Sequence, residues 1–315
     1  MKYYLGVDVG GMTIKAGIVD ENGNILCKDA CETKPERENA LVIKDMYLLC
    51  ERVAEKCNLS LSDIEGIGIG IPGTVNSGKG VVTYSGNLNF KKVNVLKQFS
   101  SYCDRPVYLG NDANCAALGE TNFGSGKGKK NSILVTLGTG IGTGFILDGK
   151  IFEGNRGEGA EGGHICIRIG GEKCTCGERG CWEAYASATA LIRQTERNIK
   201  KYPDSVMKKL ADGFGEVNGR VAFEGYKTGD KAAIKTVKQY VKYVSTGIVT
   251  LVNIFRPDVI MIGGGVSNAG DYFVSLVEKE VRRHAFGGKN NVVPPVKRAV
   301  LGNDAGIIGA ACLAM

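Results

Sequence analysis

The most constraining feature of this sequence is a cluster of metal-binding side-chain types in residues 161–183, EGGHICIRIGGEKCTCGERGCWE. The segment holds one of the two histidines of the chain and four of its eleven cysteines. His164, Cys174, Cys176 and Cys181 offer one nitrogen and three sulfurs, the donor set of a closed tetrahedral zinc site. Because four protein ligands leave no position for a reactive water, the metal is predicted to stabilise a loop rather than to take part in chemistry.

Two other interpretations of these four side chains are open. They could be ordinary buried free cysteines beside an unrelated histidine, but four donors at this spacing, with Gly177 and Gly180 where the chain must turn, argue against that. A disulfide is weaker still. Cys174 and Cys176 are separated by a single residue and cannot easily bridge each other, and an odd thiol would be left over.

Composition places the chain among globular proteins rather than nucleic-acid or membrane proteins. Its 315 residues can bury a substantial core, and the net charge of +7 comes from dispersed lysines and arginines without a basic stripe or a reader motif. No long apolar run or leader-like start is present, so a reducing cytoplasm is expected. The thiols outside the metal cluster are then predicted to be small apolar fillers: Cys27, Cys31, Cys50, Cys57, Cys103, Cys115, Cys166 and Cys312.

Hydrophobic patterning predicts two successive α/β halves. In the first half, strands are predicted at 3–8, 13–19, around 25, at 64–71 and at 106–109, with helices at 41–57, at 93–102 and from 113. In the second half, strands are predicted at 132–137, 143–147, around 151, at 258–262 and at 292–301, with helices at 183–200, 230–255, 271–284 and 305–315. Each half opens with a strand, a glycine turn and two further strands, which indicates a weak internal duplication.

Three glycine turns are candidate phosphate-binding or nucleotide-binding elements, because glycine lets backbone N–H groups approach an anion. The first glycine turn, residues 8–13, places the Asp8 carboxylate at the end of a strand. The second, residues 138–142, lacks the G-x-G-x-x-G spacing of a dinucleotide site and has no following helix. The third, residues 263–265, follows an apolar strand. Ligand-free hairpins, or for the third turn a helix entry in the core, are the alternatives.

Polar side chains at segment ends are candidates for catalysis and substrate binding. Asp112 lies where a strand is predicted to end and a helix to begin, so it could be either a helix N-cap or a general base. Glu161 and Glu183 flank the cysteine cluster and could accept hydrogen bonds from sugar hydroxyls, or could be solvated loop charges. Asn87 could bind a ligand or form a turn.

The pattern Glu161-Gly162-Gly163-His164, Cys174-Thr175-Cys176-Gly177, Gly180-Cys181 and Glu183 resembles the signature of the ROK family of bacterial sugar kinases and sugar-responsive repressors. The resemblance implies a two-lobed actin-like ATPase (ribonuclease H-like) α/β fold with a duplicated βββαβα core, a zinc-stabilised loop and nucleotide between the halves. It implies a small lobe of residues 1–116 plus 302–315, a large lobe of residues 117–301, and a homodimer.

The resemblance also assigns roles to individual residues. Asp112 is implied to be the catalytic base and Asp8 to help hold Mg²⁺. The implied sugar-binding residues are Asn87, Asn111, Asp112, Glu161, His164 and Glu183. The implied ATP-binding residues are Asp8, Gly10, Gly11, Thr13, Gly138, Thr139, Gly140, Gly142, Gly263, Gly264 and Gly265. Two positions depart from the family pattern: Met12 stands where Thr is usual, and Gly86 where Pro is usual.

These assignments predict an ATP-dependent hexose kinase that phosphorylates the 6-hydroxyl of glucose. N-acetylmannosamine, N-acetylglucosamine, fructose, mannose and allose are the alternative substrates, because epimer selection depends on a few hydrogen bonds that the sequence does not fix. A sugar-sensing regulator without catalysis is the alternative of another class. The family's repressors carry a winged helix-turn-helix before the first glycine turn, and only seven residues precede Asp8 here, which favours the kinase.

Overall fold

The computed structural model describes the backbone of residues 1–315 and every side chain except that of Lys289. The strands are β1 Tyr3–Val9, β2 Thr13–Asp20, β3 Ile25–Glu32, β4 Gly66–Ile71, β5 Thr74–Asn76, β6 Val81–Ser85, β7 Phe90–Asn94, β8 Val107–Asn111, β9 Ser132–Leu137, β10 Ile141–Leu147, β11 Lys150–Phe152, β12 Val259–Gly263 and β13 Val296–Arg298. The helices are α1 Asn39–Lys56, α2 Val95–Phe99, α3 Asp112–Asn122, α4 Glu183–Ala186, α5 Ala188–Lys201, α6 Val206–Phe214, α7 Gly219–Lys227, α8 Lys231–Phe255, α9 Asp271–His284 and α10 Ala305–Cys312.

Two five-stranded sheets repeat one topology. The first has the order β3-β2-β1-β4-β8 and the second has the order β11-β10-β9-β12-β13. In both, the first strand of the sheet in chain order is central, the next two lie on one side and the last two on the other. β1 pairs antiparallel with β2 and parallel with β4, and β4 pairs parallel with β8. The prediction of an α/β fold with a duplicated core is therefore confirmed.

The helix predicted at residues 93–102 is present but shorter, because α2 covers only Val95–Phe99. A third sheet, of order β5-β6-β7, occupies residues 74–94, and α2 is only a five-residue helix after it. Phe90 and Val93 are buried in this sheet, where they pack into the hydrophobic core of the first half of the chain. In such a short apolar segment, the sequence pattern does not distinguish a helix from a strand, because burial in the tertiary structure decides which of the two forms.

Two further differences lie in the second half of the chain. The helix predicted at 183–200 is divided into α4 and α5 at Ser187, whose hydroxyl accepts a hydrogen bond from the Ala190 N–H at 3.1 Å and so caps the new helix. Helices α6 and α7 were not predicted. By contrast, α9 has the predicted bounds, residues 271–284.

The chain packs as two compact units that divide at positions other than the predicted lobes. One unit comprises residues 1–134, 144–160 and 300–315, and the other comprises residues 135–143 and 161–299. Residues 117–134 belong to the first unit because α3 continues to Asn122 and packs along α10. The lobe boundary at residue 116 stays a prediction.

Glycines allow α10 to pack directly on the backbone of the first sheet. A Cβ atom at Gly6 would lie 1.9 Å from the carbonyl oxygen of Ile307, and one at Gly68 would lie 1.7 Å from that of Ala310. On the opposite side of the helix, a Cβ at Gly309 would lie 1.7 Å from the Cys115 carbonyl oxygen of α3. No larger residue fits at these three positions, so α10 packs in direct backbone contact with its neighbours.

A disulfide corrects the expectation that all cysteines outside the metal cluster are free thiols. Cys27 of β3 bonds to Cys57, which directly follows α1, with a Cα–Cα distance of 5.8 Å. The bond joins the edge strand of the first sheet to the end of the helix that covers it. Sequence reasoning missed it because nothing in the sequence indicates that residues separated by 30 positions meet.

No helix among the described residues has the length and apolar character needed to cross a membrane.

We expect reduction of Cys27–Cys57 to lower the free energy of unfolding by about 3–4 kcal/mol, the chain-entropy value for a closed loop of this size. Urea denaturation of the oxidised protein with and without dithiothreitol measures the effect, after thiol titration has verified the redox state. A Cys27→Ala/Cys57→Ala variant is the control and should not respond to dithiothreitol, whereas Cys31→Ala, on the same strand, should respond like the original protein. Equal stability of the oxidised and reduced protein would refute a stabilising role.

Candidate functional site

The carboxyl ends of three neighbouring parallel strands bring polar residues together in the first unit. Asp8 of β1 is paired with Gly70 of β4, and Gly70 is paired with Gly110 of β8. Asn111 is the last residue of β8, and Asp112 begins α3. The two aspartates therefore lie at the same edge of one sheet, which is where open α/β sheets bind ligands.

The first glycine turn and Asn87 also meet in this unit. The Gly10 N–H donates to the Thr13 carbonyl oxygen at 2.9 Å and closes the turn between β1 and β2. A Cβ atom at Gly11 would lie 3.3 Å from the Cβ of Asn87, so glycine keeps the turn and the asparagine in close approach. Met12 is 84% exposed at the tip of the turn. The structure therefore brings the sugar-binding candidate Asn87 beside the phosphate-binding candidates.

Asp8 faces one cation that sequence reasoning missed. Burial raises the pKa of the Asp8 carboxyl, while the charge of Lys15 acts to lower this pKa. The Lys15 Nζ lies 3.8 Å from Asp8 Oδ2, because the two residues are directly paired across β1 and β2. The register of the β1–β2 hairpin is the signal that could have identified Lys15, since residues paired across two strands lie on the same face of the sheet. Lys15 is thus a third charged group at this edge of the sheet.

The structure assigns the N-cap of α3 to Asn111. Its Oδ1 accepts hydrogen bonds from the N–H groups of Ala113 at 2.9 Å and Asn114 at 3.1 Å, and its Nδ2 donates to the Gly73 carbonyl oxygen at 3.0 Å. Asp112 is therefore not the cap, which was the structural alternative for this residue. It is half-buried in the first turn of the helix, where the helix dipole favours a negative charge.

In the second unit, the second glycine turn is held by the segment that follows the cysteines. The Ala188 N–H donates to the Gly138 carbonyl oxygen at 2.8 Å, and the Thr189 hydroxyl donates to the Thr139 carbonyl oxygen at 2.9 Å. The Ile141 N–H donates to Glu183 Oε2 at 3.0 Å. The turn therefore has a defined backbone geometry rather than that of a loose hairpin.

The third glycine turn packs against the strand that leads into the second one. Gly264 has a φ of +78°, and a Cβ atom there would lie 2.6 Å from the backbone nitrogen and oxygen of Leu137. Glycine is required at this position both by the backbone conformation and by the space. Residues 263–265 and 138–142 are thus neighbours within one unit.

The four predicted metal ligands converge on one point in the second unit. Their ligand atoms all lie within 4.8 Å of one another. The Sγ atoms of Cys176 and Cys181 are 3.6 Å apart, and Cys174 Sγ is 3.7 Å from His164 Nδ1. Tetrahedral zinc with bonds of about 2.0–2.3 Å places its ligand atoms roughly 3.6–3.8 Å apart, so the residues fit a zinc ion in donor type and these two pairs also fit it in spacing.

The predicted sugar ligands Glu161 and His164 lie at the two ends of one short turn. Glu161 precedes this 3₁₀ turn and His164 ends it, and the His164 N–H donates to the Glu161 carbonyl oxygen at 3.1 Å. Both side chains are exposed. Nδ1 of His164 faces the sulfurs, so with a metal bound at Nδ1 the Nε2 atom would carry the proton and donate a hydrogen bond.

Comparisons with known proteins identify one protein family. Residues 4–315 match the ROK family. A glucokinase of Streptomyces coelicolor is 35% identical over 313 residues, which cover 98% of this chain and 96% of that protein. A crystal structure of a ROK family glucokinase from Streptomyces griseus, in complex with glucose and AMPPNP, is 33% identical with a TM-score of 0.82 and covers 99% of this chain and 98% of that one. A putative xylose repressor of a Caldicellulosiruptor species is 28% identical over 90% of this chain and 70% of its own length.

The fold is thus that of the ROK sugar kinases, the actin-like ATPase fold. The chain belongs to the ROK family. The predicted family resemblance is confirmed over the whole chain, while the individual site residues remain predictions.

We expect the protein to bind a single zinc ion. Cys176→Ala should weaken zinc affinity by at least about 10–100-fold, because substitutions of residues that only hydrogen-bond to metal ligands already cause a loss of this size. Competition with a chromogenic chelator measures affinity, and elemental analysis measures content. Cys166→Ala is the matched control, since Cys166 is an exposed thiol of the same segment outside the four-residue cluster. Undiminished zinc affinity in Cys176→Ala would exclude this ligand set.

Proposed function

We propose that this protein is an ATP-dependent hexose kinase that transfers the γ-phosphoryl group to the 6-hydroxyl of glucose. The observation that carries the proposal is the pair Asp8 and Asp112 at one edge of the first sheet, with the capping of α3 provided by Asn111. The glucokinase relatives, similar over nearly the full chain, support the reaction class and the choice of glucose.

Asp112 is the proposed general base. Phosphoryl transfer to an alcohol needs a carboxylate that accepts the hydroxyl proton while the oxygen attacks phosphorus in line with the leaving group. Asp8 is proposed to hold Mg²⁺, which would neutralise phosphate charge when bound. Lys15 is placed to keep the Asp8 carboxylate ionised and oriented, because it lies 3.8 Å away and acts against the effect of burial.

Backbone N–H groups are proposed to bind the donor nucleotide. The first glycine turn (Gly10, Gly11 and Thr13) and the second (Gly138, Thr139, Gly140 and Gly142) are assigned to the phosphates. The third (Gly263, Gly264 and Gly265) is assigned to the adenosine. Amides at such turns attract anions without the cost of ordering a flexible side chain.

The sugar hydroxyls are proposed to be bound by amide, carboxylate and imidazole groups. These are Asn87, Asn111, Glu161, His164 and Glu183, together with Asp112. Asn111 already donates one amide proton to the Gly73 carbonyl oxygen, so it has one further N–H for a hydroxyl. Zinc is proposed to be structural, because a site with four protein ligands has no open position. A homodimer is the proposed state, as the family resemblance implies, and the cytoplasm is the proposed location.

Asp112→Asn should lower kcat by on the order of 10²–10⁴-fold, the contribution typical of a positioned general base, and leave the sugar dissociation constant within a few-fold. Coupled ATP-consumption assays and calorimetry measure the two quantities. Asp104→Asn removes an exposed carboxylate of the same unit and is the control. Retained turnover in Asp112→Asn would reject Asp112 as the base.

The same assay with a panel of hexoses identifies the substrate. Highest kcat/KM on glucose supports the proposal. Preference for N-acetylmannosamine, N-acetylglucosamine, fructose, mannose or allose keeps the mechanism and changes the substrate. Sugar binding without turnover on any of them would contradict the kinase and favour a regulator, the function suggested by the xylose-repressor relative.

Restoring the family's usual residue with Met12→Thr should leave unchanged or lower the KM for ATP. Met12 is 84% exposed, so the substitution removes no core packing and can add a hydroxyl at the phosphate-binding turn. Steady-state kinetics at saturating sugar measure KM, with Met315→Thr as an exposed methionine control. A clear rise in KM would show that methionine itself favours nucleotide binding in this chain.

A further inference from the structure

Glu183 connects two elements that the proposed function treats separately, the metal loop (residues 174–181) and the second glycine turn (residues 138–142). Its Oε1 accepts a hydrogen bond from the Thr175 hydroxyl at 2.8 Å, and Thr175 stands between the ligands Cys174 and Cys176. Its Oε2 accepts the Ile141 N–H at 3.0 Å. One carboxylate therefore joins the two elements, with a different oxygen bonded to each.

The second glycine turn is shaped around this carboxylate. A Cβ atom at Gly140 would lie 2.2 Å from Glu183 Oε2, so a side chain at this position would displace the carboxylate. A second contact with the glycine turn comes from Gly163, which lies in the short 3₁₀ turn that ends at the ligand His164. A Cβ atom at Gly163 would lie 2.4 Å from the Ile141 carbonyl oxygen. Segments that carry metal ligands thus contact the glycine turn at both the N–H and the carbonyl of Ile141.

We infer that Glu183 is a positioning residue through which metal occupancy sets the conformation of the second glycine turn and hence its affinity for the phosphate donor. The chain's own geometry supports this: a metal bound to Cys174 and Cys176 would fix Thr175 between them, and the Thr175 hydroxyl donates to the carboxylate that accepts the Ile141 N–H. The consequence for phosphate binding rests on the proposed function, whereas the mechanical link does not. A metal that is only structural for its own loop would leave the glycine turn unchanged.

Hydrogen exchange at the Ile141 amide tests the link directly, because this amide donates to the carboxylate. In the metal-loaded protein we expect a protected amide. Removing the metal with a chelator should accelerate its exchange roughly tenfold or more, the scale expected for loss of a hydrogen bond to a charged acceptor. Unchanged exchange at Ile141 after metal removal would overturn the inference.

Variants distinguish the proposed link between the metal loop and the Ile141 amide from general unfolding of the metal loop. Thr175→Val removes the hydroxyl donor and keeps all four metal ligands, so it should retain zinc and still accelerate exchange at Ile141. In Glu183→Gln, the Ile141 amide should exchange rapidly with or without metal. Glu178→Gln, an exposed carboxylate of the same loop, is the matched control and should behave like the original protein. Normal protection in metal-loaded Thr175→Val would also overturn the link.

Binding of the non-hydrolysable analogue AMPPNP with Mg²⁺, measured by calorimetry without sugar, tests the consequence. Metal removal and Thr175→Val should both weaken this binding by about the same factor as they accelerate exchange. Faster exchange with intact nucleotide affinity would overturn the phosphate-donor part of the inference. Faster exchange in a protein that never binds nucleotide would instead contradict the proposed function and leave the mechanical link standing.

Discussion

Parallel pairing of β1, β4 and β8 is the constraint on which the candidate catalytic site depends. Because the pairing aligns Asp8, Gly70 and Gly110 across three strands, the side chains that follow these strands emerge at one edge. This alignment is stabilised by α10, which lies close to the backbone of β1 and β4 only because Gly6 and Gly68 have no side chain. The C-terminal helix therefore supports the edge at which the two candidate aspartates stand.

The second unit depends on a different kind of constraint, the convergence of short loops. Its second glycine turn is held by the N–H of Ala188 and the hydroxyl of Thr189, which donate to carbonyl groups of the turn, and by the Glu183 carboxylate, which accepts from the Ile141 N–H. Each contact is individually modest, since a hydrogen bond to a charged group contributes about 1.5–3 kcal/mol. Their common position at the second glycine turn lets a change at the metal loop reach a backbone amide in another segment.

Several residues have roles different from those that their sequence position suggested. By its position at a strand end, Asp112 was a candidate helix cap, and the structure gives this task to Asn111, whose side-chain oxygen accepts hydrogen bonds from both the Ala113 and the Asn114 N–H groups. Lys15 was not a candidate in the sequence, and strand pairing places it opposite Asp8. Cys27 and Cys57 were expected to be apolar fillers, and they form a covalent bond between β3 and the end of α1.

The sequence by itself determined the features that depend on local chemistry: the metal-ligand set, the three glycine turns, the long amphipathic helices α1, α8 and α9, and the duplicated order of strands. These follow from residue type and periodicity, which act over a few positions. Only the tertiary structure decided the third sheet, the break at Ser187, the disulfide, the ion pair of Lys15 with Asp8 and the two hydrogen bonds of Glu183. The formation of these features depends on packing and strand register, which local sequence patterns do not encode.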